Sequence, residues 1–144
     1  MTGFLLDTNI LTELRKESRC DPGVRTWFEK ASSDQLFISV LVLGEIRQGI
    51  ERIRLRDQPQ AEALEKWLTW ISSEFADHIL PVDEHVAEQS GRLGSRQTAP
   101  VLDSLIAATA LTHNLAVVSR DAEGFRNTGV RLINPFAQTT PKAK

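Results

Sequence analysis

Asp7, Glu45, Asp103 and Asp121 each stand beside an apolar stretch of this 144-residue chain. Asp7 ends the run Gly3-Phe4-Leu5-Leu6, and Glu45 follows the apolar segment Phe37 to Leu43. Asp103 opens the pattern Leu105 to Leu111, and Asp121 follows Leu115-Ala116-Val117-Val118. An ionised carboxylate next to apolar core is costly unless it is paired or bound to a metal. No Lys or Arg directly flanks Asp7, Glu45 or Asp103. Taken singly, Asp103 and Glu45 read as acids in the first turns of helices, where the helix dipole favours them. Taken together, the four define a site for a hard divalent cation. Like charges held close raise one another's pKa values, and Mg²⁺ or Mn²⁺ removes that conflict. Mg²⁺ keeps several waters and binds through a few carboxylates plus phosphate oxygens. A metal-bound water has a lowered pKa and can attack phosphorus. Asp7, Glu45, Asp103 and Asp121 are therefore candidate metal ligands or water-orienting bases. Thr8, Asn9, Ser39 and Ser119 are candidates for the hydrogen bonds that fix carboxylate orientation.

The elements that must position these groups alternate along the chain. Gly3 to Leu6 reads as a buried strand, because its apolar run is continuous rather than alternating. Thr8 or Asn9 then caps a helix to about Arg15. Asp21-Pro22 opens a second helix, with proline where a missing N–H costs nothing. Leu36 to Ser39 is a strand. Leu43, Ile46, Ile50 and Ile53 follow at three- and four-residue steps, marking a long amphipathic helix. Asp57-Gln58-Pro59 interrupts it before a helix bearing Ala63, Leu64, Trp67, Leu68 and Ile71. Trp67 and Trp70 share a helix side and are expected to pack between two helices. Ile79 to Val82 is a strand, Asp83 caps a helix to about Leu93, and Pro100 precedes a helix from Val101 to about His113. Asn114 suits a left-handed stop. Leu115 to Ser119 and Val130 to Ile133 complete the strands. The alternation predicts an α/β fold: one domain over residues 1–137, with a central parallel sheet flanked by helices on both faces. Residues 138–144 are expected to form a disordered tail.

Composition limits the alternatives. The chain is 41% hydrophobic and 25% charged, as for an ordinary globular domain. Its formal net charge of −2 does not advertise nucleic-acid binding through bulk charge. Arg47, Arg52, Arg54 and Arg56 cluster on one helix, and the forked guanidinium suits phosphate. On charge alone they read as a solvated face. The single cysteine, Cys20, excludes an internal disulfide framework and favours a reducing, cytoplasmic setting. No apolar run is long enough to span a bilayer, and no secretory signal is expected. His78, His85 and His113 lack metal-ligand spacing, and no phosphate-binding glycine run is present.

Four segments carry a resemblance. They are Leu6-Asp7-Thr8-Asn9-Ile10-Leu11, Ile38-Ser39-Val40 through Gly44-Glu45-Ile46, Leu102-Asp103-Ser104-Leu105-Ile106-Ala107-Ala108, and Val118-Ser119-Arg120-Asp121 through Phe125. In these the chain resembles the PIN-domain family from Phe4 to about Pro135. Their order and spacing are similar to a VapC-type toxin of a bacterial toxin–antitoxin pair. By position, Asp7, Glu45 and Asp103 match the family's acidic triad and Asp121 its more variable fourth acid, with Glu123 in reserve. The resemblance implies a Mg²⁺- or Mn²⁺-dependent endoribonuclease, a homodimer, and a small antitoxin that blocks the site. It makes Arg47, Arg52 and Arg56 candidate contacts for RNA or antitoxin. The competing expectations are a housekeeping RNA-processing nuclease and a catalytically idle RNA- or protein-binding module.

Overall fold

The computed structural model describes residues 3–94 and 100–137. Five parallel strands form one sheet in the order β3-β2-β1-β4-β5. They are β1 (Gly3–Leu6), β2 (Leu36–Ser39), β3 (Ile79–Leu80), β4 (Leu115–Val118) and β5 (Leu132–Ile133). Six α-helices connect them among the described residues: α1 (Thr8–Leu14), α2 (Pro22–Lys30), α3 (Val40–Arg54), α4 (Gln58–Glu74), α5 (Glu84–Gly94) and α6 (Val101–His113). The α/β architecture expected from the alternation is the one observed.

The sheet is buried on both sides, which is why its strands are continuous apolar runs. Adjacent residues of β1 serve opposite cores. Leu6 packs with Ile10, Val24, Val42, Ile50 and Ile71 under α1 to α4. Leu5 packs with Val86, Ile106, Ala107 and Val117 under α5 and α6. The helices change faces where the strand order reverses, between β1 and β4. In open α/β sheets the crevice beyond the strand ends at such a reversal is the natural ligand site.

Local chemistry sets the helix ends. Asp21 accepts the Gly23 and Val24 N–H groups at the start of α2. Ser39 accepts the Leu41 N–H at the start of α3. Asp57 accepts the Gln60 N–H, and Asp83 the Val86 N–H. Asn114 ends α6 with φ 57° and ψ 48°, the left-handed stop that its type favours. The Asp21, Ser39, Asp57 and Asp83 side chains satisfy backbone groups that the helix itself leaves open.

Several boundaries differ from expectation, β4 among them, which ends at Val118 rather than Ser119. Asp7, rather than Thr8 or Asn9, caps α1. The β3 strand stops at Leu80 and β5 begins at Leu132. Both are edge strands with a single partner; β3 stops opposite Ser39, the last residue of β2, and β5 pairs with only the last two residues of β4. The expected tail from Gln138 lies outside the described residues.

Candidate active site

Asp7 sits immediately beyond β1, with its N–H bonded to the Val118 carbonyl of β4 at 2.9 Å. Its side chain is held twice. One oxygen accepts the Thr8 N–H at 2.9 Å, and the other accepts the Ser119 hydroxyl at 2.7 Å. Ser119 is fully buried. Its oxygen also accepts from the Asn9 amide at 3.1 Å and from the Asp121 N–H at 2.9 Å. The Asn9 side-chain oxygen Oδ1 accepts the Arg120 N–H at 3.2 Å. Asn9 and Ser119 thus stitch the first turn of α1 to the loop after β4, fixing Asp7 and Asp121 relative to each other. From the adjoining helix α3, Glu45 accepts the Thr8 hydroxyl.

Asp103 reaches the same place from the first turn of α6, across a gap kept open by a glycine. A Cβ at Gly124 would lie 2.2 Å from one Asp103 carboxylate oxygen and 2.5 Å from one of Asp121. The two carboxylates therefore converge over Gly124, in the 3-10 turn Glu123–Phe125. Asp121 is held there by accepting the Gly124 N–H at 3.0 Å.

The electrostatics show four acids sharing one field. Burial pushes the Asp103 carboxyl up to about 6, with the charges of Asp121, Asp7 and Glu45 adding to it. Burial also raises Asp7. The hydrogen bonds from Ser119 and Thr8 oppose that rise, while the Glu45 and Asp121 charges reinforce it. Among the described residues, every ion pair of a Lys or Arg is made to an acid other than these four. No described Lys or Arg therefore forms an ion pair with any of the four. No three acidic, His or Cys side chains among the described residues draw close enough to enclose an ion by themselves. Looser spacing of oxygen donors suits a cation that retains its waters, as Mg²⁺ does. The all-oxygen donor set and the gap over Gly124 both fit such an ion.

The structure brings Asp7, Glu45, Asp103, Asp121, Thr8, Asn9 and Ser119 together. Ser39 is different: its oxygen serves the N-terminus of α3, so it supports the helix that carries Glu45. Of the two candidates for the fourth acid, Asp121 faces Asp103, whereas Glu123 pairs with Arg126. Arg47 is engaged within the chain while staying partly exposed. It is tied to Glu51 at 3.0 Å and to Glu65 at 2.9 Å, in a network that Arg54 closes against the same two acids. Arg52 and Arg56 are exposed. Trp70 is a correction, being 56% exposed rather than packed between helices. Sequence reasoning missed Gly124 entirely. It also missed Glu13, which is buried and accepts the Asp21 N–H at 2.7 Å and Lys16 at 2.9 Å. A signal for Glu13 existed in the spacing to Lys16, three residues along one helix face.

Comparison with known proteins agrees with this geometry. Residues 4–130 match the model of the PIN domain. Toxin FitB of Neisseria gonorrhoeae is 30% identical, covering 92% of this chain and 98% of its own. VapC ribonuclease Y4jK of Sinorhizobium fredii is 27% identical over 92% of this chain and 97% of its own. The crystal structure of FitAcB from Neisseria gonorrhoeae superposes with a TM-score of 0.82 at 30% identity, covering 92% of this chain and 97% of that one. A family match over most of the chain and an acidic cluster at the sheet's reversal point lead to one conclusion: this chain belongs to the PIN domain family.

Proposed function

We propose that the chain is a Mg²⁺- or Mn²⁺-dependent endoribonuclease acting as the toxin of a toxin–antitoxin pair. The observation that carries this reading is the convergence of Asp7, Glu45, Asp103 and Asp121, from four separate elements, with no ion pair from a described Lys or Arg. The names of the relatives supply the substrate class: one is a ribonuclease and another a toxin. Bound among these acids, the metal supplies an activated water and a counter-charge for the phosphate. Asp7 and Asp103 are the ligands proposed to hold it, because burial gives them the most to gain from a divalent charge. Asp121 extends the same oxygen surface over Gly124. Glu45, more exposed and fixed by the Thr8 hydroxyl, is placed to orient a water against the phosphorus. Ser119 and Asn9 keep the donors in position, the role of groups behind a ligand shell.

A toxin needs a partner that blocks it, and the fold offers a seat. A groove of about 770 Å³ runs between α1, α2 and α4. Its walls include Leu11, Leu14, Phe28, Trp67, Trp70 and Ile71. An amphipathic antitoxin segment laid there would cover apolar surface that is otherwise wet. A homodimer and a cytoplasmic setting, where RNA is available, complete the proposal. Among the described residues no helix is long and apolar enough to cross a membrane.

The test is cleavage of single-stranded RNA by purified protein in Mg²⁺, Mn²⁺ or EDTA, alongside the Asp7→Asn protein. Activity should vanish in EDTA and on substitution, since Asn keeps the shape and loses the charge a hard cation requires. Cleavage that survives either change refutes the mechanism.

A further inference from the structure

The segment after β5 does more than end the fold. It runs from Ile133 through Asn134, Pro135 and Phe136 to Ala137, and is fastened to α2. The Ala137 N–H donates to Asp21 at 2.8 Å, on the same oxygen that receives the Gly23 N–H. Gly23 is what admits it: a Cβ there would lie 2.3 Å from the Pro135 carbonyl oxygen and 2.7 Å from the Ala137 nitrogen. The Phe136 ring packs against the core under α1 to α4. Its face receives Arg120, whose guanidinium carbon lies 4.0 Å from the ring centroid. The buried Glu13 carboxylate stands 4.0 Å from the same guanidinium.

Arg120 lies between the two residues that matter most in its loop. Ser119 orients Asp7, and Asp121 meets Asp103 over Gly124. The Arg120 backbone is pinned to Asn9, while its side chain leans over Phe136. A loop fixed at both its backbone and its one long side chain has few ways to rotate. A guanidinium on an aromatic face contributes on the order of 1 kcal/mol, enough to bias a short loop between conformers.

We infer that Arg120, clamped by Phe136, is a positioning residue that sets the Ser119–Asp121 turn for metal binding. The strap from Asn134 to Ala137 is then part of the active-site architecture, although it carries no acid of the site. This rests on the proposed metal-dependent reading.

The test measures Mn²⁺ affinity directly, by the electron paramagnetic resonance of free Mn²⁺, in the wild type, Arg120→Ala, Phe136→Ala and the double variant. Circular dichroism first establishes that each is folded. Arg120→Ala should weaken Mn²⁺ binding roughly tenfold, at the lower end of the effect of groups that orient ligands. Phe136→Ala should match it, and the double variant should add little, because both act through one contact. Arg120→Lys, which keeps the cation over the ring, should restore most of the affinity. In RNA cleavage the loss should appear as a raised Mn²⁺ requirement, with the KM for RNA unchanged. Unaltered Mn²⁺ affinity in folded Arg120→Ala protein overturns the inference. So does a loss confined to RNA binding with a reduced salt slope, which would make Arg120 a phosphate contact. Absence of Mn²⁺ binding by the wild type would instead bring down the proposed function itself.

Discussion

Asp103 concentrates the cost of the site in one residue. Its carboxyl is pushed up to about 6 by burial and by three neighbouring acids. In the unfolded chain it titrates near the ordinary value of 3.8. A raised folded-state pKa means that its contribution to stability is fully present below about pH 4 and is lost as pH rises through 6. Without metal, Asp103→Asn should therefore melt higher than wild type at pH 7.5, and the difference should close by pH 4. Asp103 is partly exposed, so solvent screening reduces the effect to a few degrees. Thermal melts in EDTA across that pH range check this, and a variant that melts lower than wild type at pH 7.5 would make Asp103 a structural helix acid. The four acids could be singled out because each stands beside apolar sequence, and Asp7, Asp103 and Asp121 also lie at or near element ends. Gly124 was not, because a missing side chain leaves no chemical signature. Only the converging carboxylates reveal what its bareness is for. The choice of Asp121 over Glu123 came from its position in the resemblance, and the fold adds that Asp121 faces Asp103 while Glu123 pairs with Arg126.

At the scale of elements, the α3–α4 hairpin shows how a partner far along the chain changes a residue's role. Read along α3, Arg47, Arg52, Arg54 and Arg56 form one basic group. In the fold, Glu65 of α4 comes alongside and takes Arg47 and Arg54 into a four-charge network with Glu51. Arg52 and Arg56 stay exposed near the hairpin turn, next to Leu55, which is 89% exposed. The two pairs should behave differently towards RNA. The double change Arg52→Ala and Arg56→Ala should reduce the dependence of log affinity on log salt by about one for each lost phosphate contact. Arg47→Ala should leave that slope unchanged and act on hairpin stability. Fluorescence titrations of labelled RNA at several salt concentrations separate these outcomes, and identical slopes in all proteins return Arg52 and Arg56 to a merely solvated face. Pattern-based reading located both helices, because apolar periodicity is local. It did not show the network around Arg47, because one of the two acids that hold it lies 18 residues away.

Across the whole molecule, the groove and the acidic site meet through α1. Asp7 caps that helix, while Leu11 and Leu14 on it line the groove. A segment seated between α1, α2 and α4 can thus extend towards the carboxylates, where a cationic side chain would relieve the repulsion that metal relieves. Periodicity assigned Trp67 and Trp70 to packing between helices. Trp67 is half-buried beneath Arg15, whose guanidinium lies 5.5 Å from its ring, whereas Trp70 remains 56% exposed on the groove wall. Exposed aromatic residues beside a groove are the usual anchors of a binding surface. Trp70→Ala should therefore separate catalysis from control. Purified variant should cleave RNA at the wild-type rate, since Trp70 lies on α4 and none of the four acids does. Its expression alone should arrest growth as wild type does. Co-expression of the cognate antitoxin should rescue cells making the wild type and fail to rescue those making Trp70→Ala. The expected loss of partner affinity is about 2 kcal/mol, or roughly thirtyfold, as for a central aromatic anchor. Equal rescue of both would move the partner's seat off this groove, and slower cleavage by the variant would mean that the groove wall also shapes the acidic site through α1.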